Sequence, residues 1–484
     1  MKRLLLLFLL MLAAAPASAQ TFDAFTESVL ATPATGQQAR VDSFLTAAPT
    51  VPYFDSDTVA VFLWSGSATS MAVAGDFNSW NANAWPMTRL GSTTLWYRTE
   101  TFPSDARLDY KLVRNGSSWI LDPRNPLRVS GGFGPNSELA MPAYVQPPEI
   151  VPDPTVPRGT LTSHTFASTG MGNSRRVQVY VPASYDASVP PYPVVVYHDG
   201  GEYVSLASMP TILDNLIALE SVAPVVVVFV DPVNREQEYW TTRSAAFVDM
   251  VVTELMPWVR ANWNVTDEPG RTAVTGASLG GLISTRLCFE HPEVFGLCGP
   301  FSPSWWVDDQ ALINDVIAQP VPGQRWYLDW GTYEGSISRI TPAALNAMQA
   351  AGMDAVGNAW NEGHSWGSWR AHQDEMLAWF FRPASVGTEV RERPDVPLEG
   401  TLAIHPNPVA AYATVTVSLA SSGRLALTLH DALGRNVRTF PARHLGPGTD
   451  TFAVDLSGLA GGSYFLVAEL PGGTTTTRPL TILR

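Results

Sequence analysis

Five apolar, β-branched runs through the middle of this 484-residue chain constrain its fold more than any other feature: Pro193–Gly201, Pro224–Pro232, Arg271–Gly281, Gly296–Pro303 and Arg325–Gly331. Their continuous Val, Leu and aromatic content suits strands buried on both faces. Between them, Phe247 to Trp263 and Leu282 to Glu290 carry helical spacing. Alternation of this kind predicts a mostly parallel sheet with helices on both sides.

At the junction of the third run with its following helix lies Gly276-Ala277-Ser278-Leu279-Gly280-Gly281. Glycines two residues either side of a serine permit a tight turn that exposes Oγ, so Ser278 is the candidate nucleophile of an α/β-hydrolase fold. A plain glycine-rich turn is the bland alternative, and the strand-before, helix-after context argues against it.

A serine hydroxyl needs a base, and in this fold the chain order is serine, acid, histidine. His291 closes the helix that Ser278 opens and is too near in sequence to return to the site. His364 stands in the loop Asn361–Trp366 after an expected strand, whereas His372 falls within a helical pattern, so His364 is the candidate base. For the acid, Glu334 in the loop after Arg325–Gly331 is preferred to Asp329 inside that strand, with Glu362 third. An oxyanion needs two backbone N–H donors: Leu279, after the nucleophile, and Gly201 beside Gly200 in His198-Asp-Gly-Gly. A metal ion or organic cofactor is not called for by this chemistry.

Lys2 and Arg3, an apolar run and Ala17-Ser-Ala19 form a signal-peptide pattern over residues 1–19. No later stretch approaches the roughly 20 apolar residues of a membrane helix. Two proline-rich stretches, 146–158 and 382–400, then set off three domains: 50–145, 159–381 and 401–484. The first and third read as short strands between Gly, Asn and Pro turns, hence β-sandwiches flanking the central α/β domain. A net charge of −14 speaks against nucleic acid as a partner. Lysine occurs only at Lys2 and Lys111, which removes Schiff-base, Ser-Lys and P-loop chemistry from the centre. Cys288 and Cys298 are too few for a disulfide scaffold; pairing and two buried thiols both remain open.

The motifs His198-Asp-Gly, Asp231–Tyr239, Glu254–Pro257, Gly276–Gly281, Glu290–Gly296, Ser302–Trp306 and Gly363–Arg370 resemble the esterase D superfamily across the central domain, above all enterochelin-esterase-like proteins and carbohydrate esterase family one. That resemblance implies a triad of Ser278, His364 and Glu334, with Trp305 and Trp306 lining an acyl or aryl pocket, although both tryptophans could equally be core. Arg235 and Glu238 are candidate substrate contacts or an internal salt bridge.

Gly75–Trp80, Leu95-Trp-Tyr97 and Asp122–Pro126 resemble the N-terminal domain of enterochelin esterases and carbohydrate-binding module family 48. Trp80, Trp85, Trp96 and Trp119 are then candidates for a glycan platform, against the stronger expectation that aromatics at strand spacing fill a core. His405–Pro408, Asp431–Arg435 and Leu459–Tyr464 resemble the type IX secretion sorting domain. Taken together, the resemblances imply a secreted or surface-attached ester hydrolase, handled by type IX machinery, acting on feruloyl or acetyl esters of plant polysaccharide. The alternatives are a siderophore esterase, an acyltransferase or a non-catalytic glycan-binding protein.

Overall fold

The computed structural model describes residues 21–48, 51–383 and most of 401–482. Two compact units result, Met1–Ser385 and Val386–Arg484. The expected signal peptide and nearly all of the second proline-rich stretch lie outside the described residues.

The first unit begins with two helices, Phe22–Leu30 and Ala34–Ala47, the former capped by Thr21, whose side chain accepts from the Ala24 amide at 3.3 Å. A β-sandwich follows. One sheet runs Tyr53–Ser56, Val59–Ser65, Leu95–Thr101, Thr88–Arg89; the other is built around Met71–Gly75, Arg107–Arg114 and Asn136–Ala140. Alternation decides what each face meets: Ala60, Phe62 and Trp64 point into the sandwich core with Tyr110 and Leu112. Val61 and Leu63, on the opposite face, pack against Phe22, Phe25 and Val29 of the helices. The strand is therefore apolar throughout because both of its faces are covered.

The stretch 146–158 is tied down: a 3₁₀ turn at Pro148–Ile150 is gripped by Asn215, whose Nδ2 donates to the carbonyls of Glu149 and Val151 at 2.8 and 2.9 Å.

The central domain holds one eight-stranded sheet. Its strands are β1 Thr160–Ser168, β2 Asn173–Val181, β3 Val194–His198, β4 Val226–Val230, β5 Thr272–Ala277, β6 Leu297–Phe301, β7 Arg325–Gly331 and β8 Asp354–Trp360. Spatial order is β1-β2-β4-β3-β5-β6-β7-β8, antiparallel through β1, β2 and β4 and parallel from there on. This is the α/β-hydrolase arrangement. Residues of β3 and β4 alternate between two separate apolar cores, one on each side of the sheet, which is why Val194–Val196 and Val226–Val228 contain no polar residue. Cys288 and Cys298 are buried and unpaired.

The second unit is strand-rich. Thr401–His405, Tyr412–Leu419 and Gly448–Asp455 form one sheet; Gly423–Asp431, Gly462–Glu469 and Thr475–Ile482 belong to another, around a core that includes Val415, Leu427, Leu429 and Leu466. Among the described residues, no helix is long and apolar enough to cross a membrane.

Candidate active site

In the parallel part of the sheet, Ala277 pairs with Phe301, Phe301 with Asp329, and Gly331 with Trp360. The C-terminal ends of β5 to β8 therefore open on one edge, and the loops beyond them carry Ser278, Ser302, Ser304, Glu334 and His364 together.

Ser278 sits at φ 60° and ψ −119°, a backbone state an L residue holds only when its surroundings impose it. Its N–H donates to Phe301 O at 3.0 Å, and its carbonyl accepts from Leu282 N and Ser304 N, both at 3.1 Å. A Cβ on Gly276 would lie 2.8 Å from the Gly280 backbone, so the turn closes only with glycine there, while a Cβ on Gly281 would sit tightly, 3.1 Å from Phe301 O. Ser278 Oγ is 3.3 Å from Ser304 Oγ. Nothing in the sequence marked Ser304 as a neighbour of the candidate nucleophile.

Glu334 is buried, and its Oε1 meets two partners: His364 Nδ1 at 3.3 Å and the donating Ser302 hydroxyl at 2.7 Å. Trp369 Nε1 donates in turn to Ser302 Oγ at 2.9 Å and stands edge-on to the His364 ring, 4.9 Å away. The geometry thus brings Glu334, and not Asp329, to His364. Asp329 is buried beneath, accepting from Trp360 Nε1 at 2.7 Å, and burial pushes its carboxyl up to about 8. His372 and Glu362 form a separate buried pair at 3.0 Å, with the His372 ring stacked on Trp360 at 3.8 Å. Burial acts to lower the His372 pKa, but the carboxylates of Glu362 and Asp329 outweigh it and raise it to about 9. His291 is a surface residue beside Glu293.

Two expected roles need correction. The Gly201 N–H is already donated to Asp231 Oδ1 at 2.6 Å, and a Cβ there would overlap the Arg176 guanidinium, so this glycine makes room for an ion pair and not for a substrate carbonyl. Gly200 and Leu279 are each the first residue of a helix, which leaves their amides without an intrahelical acceptor. Trp305 is core: it is 1 % exposed, packs in the main apolar cluster and donates Nε1 to Thr285 Oγ1 at 3.0 Å. Its neighbour Trp306 is 45 % exposed and does line the cleft.

Arg235 also faces the cleft while gripping Asp199 with two bonds of 2.8 Å, whereas Glu238 is buried against Arg175 at 2.7 Å.

The cleft has a volume of about 940 Å³, and its second wall is the N-terminal sandwich. Asp76, Trp80, Asp109, Lys111, Trp119 and Phe133 line that wall. Of the four tryptophans expected there, Trp80 and Trp119 face the cleft with rings 6.4 Å apart, while Trp96 is buried and Trp85 stacks on Phe77 in the sandwich core. Burial, and next the charge of Asp109, push the Asp76 carboxyl up to about 7.

Three family profiles match successive parts of this architecture. Residues 168–380 match the esterase family, residues 48–124 the carbohydrate-binding module 48 (isoamylase N-terminal domain), and residues 403–482 the secretion system C-terminal sorting domain. The chain carries an esterase-family domain.

That esterase domain is 28 % identical over 192 residues to an uncharacterised Bacillus subtilis protein, covering 37 % of this chain and 74 % of that one. It is 31 % identical over 190 residues to the iron(III) enterobactin esterase of Escherichia coli O6:H1, covering 39 % and 46 %. Identity to the endo-1,4-β-xylanase/feruloyl esterase of Xylanibacter ruminicola is 25 % over 240 residues, 46 % of this chain and 32 % of the relative, so the chain spans less than half of these two enzymes. The enterobactin esterase of Shigella flexneri, solved with enterobactin, shares the fold at TM-score 0.58 and 24 % identity, covering 66 % of this chain and 92 % of that one.

Proposed function

We propose that this protein is a secreted or cell-surface serine carboxylic-ester hydrolase that forms an acyl-Ser278 intermediate, acting on feruloyl or acetyl esters carried by plant polysaccharide. The observation that carries this reading is that Ser278, on its strained turn, lines the same cleft as the hydrogen-bonded His364–Glu334 pair.

Glu334 engages Nδ1 of His364, so Nε2 is the nitrogen left to take the Ser278 proton. Attack of Oγ on the ester carbonyl puts negative charge on its oxygen, and the amides of Leu279 and Gly200 are the donors assigned to receive it. Collapse breaks the acyl–oxygen bond, and the His364 imidazolium returns its proton to the departing alcohol. Water then attacks the acyl-serine, again giving its proton to His364, and the acid leaves with Ser278 restored.

The enterobactin esterase likeness raises a siderophore ester as a second reading. Charge weighs against it. A ferric tris-catecholate is polyanionic, and the cleft offers Lys111 and the already paired Arg235 against Glu202 and Glu334, with Asp109 paired to Arg107 and Asp76 only partly ionised near neutral pH. A neutral sugar ester suits that lining better, with Trp80 and Trp119 presenting apolar ring faces to it. The sorting domain at residues 403–482 supports an extracellular substrate.

Incubating the protein with methyl ferulate, acetylated xylan and a ferric catecholate siderophore decides between the readings. Turnover of either of the first two, lost in Ser278→Ala, is the expected outcome; turnover of the siderophore alone would reverse the assignment. Release of acyl product to an added alcohol in preference to water would make the protein a transferase.

A further inference from the structure

We infer that Arg107 of the N-terminal sandwich is a positioning residue for His364, so that the sandwich is part of the catalytic apparatus and not only a surface for sugar; this rests on the triad proposed above. Arg107 opens the strand Arg107–Arg114 and is wholly buried. Its Nη2 lies 2.8 Å from both Asp109 Oδ1 and Glu138 Oε2, which fix the guanidinium within its own domain. Nη1 is then free to reach across and donate to Ser365 Oγ at 3.0 Å. The main-chain N–H of Arg107 donates to Asn361 O at 3.0 Å, and the strand makes a parallel bridge to Glu362. One arginine therefore holds both ends of the segment Asn361–Ser365, and His364 stands inside it.

The hydrolase side is shaped to admit these contacts. A Cβ on Gly367 would lie 2.0 Å from Arg107 Nη2, and a Cβ on Gly363 2.2 Å from the Asp76 carboxylate. Neither glycine has positive φ, so neither is there to make a turn. Each leaves space for one side chain of the sandwich, on either side of His364.

Stability alone is a poor reason for such a site. A buried arginine with two carboxylates costs about as much desolvation as it regains in attraction, and apolar residues of like volume serve as well. What the guanidinium adds is direction: a planar fork aims Nη1 at Ser365 while two carboxylates hold Nη2. The His364–Glu334 contact, at 3.3 Å, is long enough that small shifts of the loop would open it.

Arg107→Lys keeps the charge and removes the fork. On p-nitrophenyl acetate, too small to need the sandwich wall, kcat is expected to fall roughly tenfold or more while KM stays within about twofold. Ser365→Ala leaves the ionic cluster whole and should lower kcat in the same manner. Combined with Ser365→Ala, Arg107→Lys should add little further loss if it acts through that hydroxyl. Arg107→Lys with unchanged kcat overturns the inference, as do fully additive losses in the double variant. Should Arg107→Lys not fold, Ser365→Ala with wild-type kcat is the refuting result. Ser278→Ala and His364→Ala run alongside: activity in those controls would refute the triad itself, a separate outcome.

Discussion

Ser302 Oγ lies 2.7 Å from Glu334 Oε1, the same oxygen that His364 Nδ1 meets at 3.3 Å. The shorter bond comes from a hydroxyl that is itself oriented by Trp369. Glu334 is thereby held from behind by a chain of donors, and the position of its carboxylate does not depend on the histidine it meets.

Removing that support should cost rate without cost to binding. Ser302→Ala is expected to lower kcat by about tenfold, and Glu334→Gln by roughly a thousandfold or more, since a neutral amide no longer stabilises the imidazolium. Steady-state kinetics on a soluble aryl ester check both. Equal, slight losses in Glu334→Gln and Asp329→Asn would mean that neither carboxyl serves the histidine.

Two histidines with carboxylate partners make a sharp comparison. His364→Ala and Ser278→Ala should each leave under about one per cent of wild-type activity, whereas His372→Ala should reduce stability more than rate, because it vacates a buried stack on Trp360. Reversed effects would assign the base to His372.

Stability should decline on the alkaline side of neutrality. Asp329 holds its proton up to about pH 8 against an ordinary 3.8, so its contribution is full below about 4 and is lost as pH rises through 8. His372, raised from 6.5 to about 9, contributes in full below 6.5 and loses its favourable pairing as pH rises through 9. Thermal melts should therefore fall by several degrees between about pH 7 and 9, and Asp329→Asn should flatten part of that fall. A melting temperature that climbs over this window would contradict the buried, protonated Asp329.

The sandwich wall can be tested separately from the chemistry. Trp119, 43 % exposed beside Trp80, should matter for an ester on an oligosaccharide and not for a methyl ester. Trp119→Ala is expected to raise KM for the former about fivefold or more, with kcat on methyl ferulate unchanged.

Every residue assigned to catalysis lies in the unit Met1–Ser385. Deleting residues from 390 onward should leave kcat/KM on a soluble ester within about twofold of wild type. In the native host the same deletion should stop delivery to the cell surface, measured by fractionation. Normal export of the shortened chain would remove the sorting role from residues 403–482.

Much of this site could be read from the chain because local rules act there. Only glycine fits at Gly276, two residues before Ser278, and runs such as Val226–Val230 cannot be solvent-facing. Other parts turned on what covers a given face, which period alone does not say. In Arg107–Arg114 strand alternation sends Leu108, Tyr110 and Leu112 into the sandwich core, yet Arg107 and Asp109 on the opposite face are buried too. Gly201 signalled close approach, but the approaching groups were Arg176 and Asp231. Trp305 and Trp306, adjacent in sequence, point to core and cleft respectively. Ser302 and Ser304 lie in the motif Ser302–Trp306, yet the motif gives neither hydroxyl a role, since a serine acquires one only from what the fold sets beside it.

The helices Phe22–Leu30 and Ala34–Ala47 cover the outer face of one sandwich sheet, while the other sheet looks onto Ser278. For protein engineering this rules out treating the sandwich as an interchangeable binding cartridge. A foreign sugar-binding domain spliced at residue 146 would have to reproduce the outline of the esterase rim, down to the hollows at Gly363 and Gly367. Conversely, altered specificity is more readily sought by varying residues 130–135, whose aromatic tip at Phe133 is exposed and lines the cleft without bearing on either domain's core.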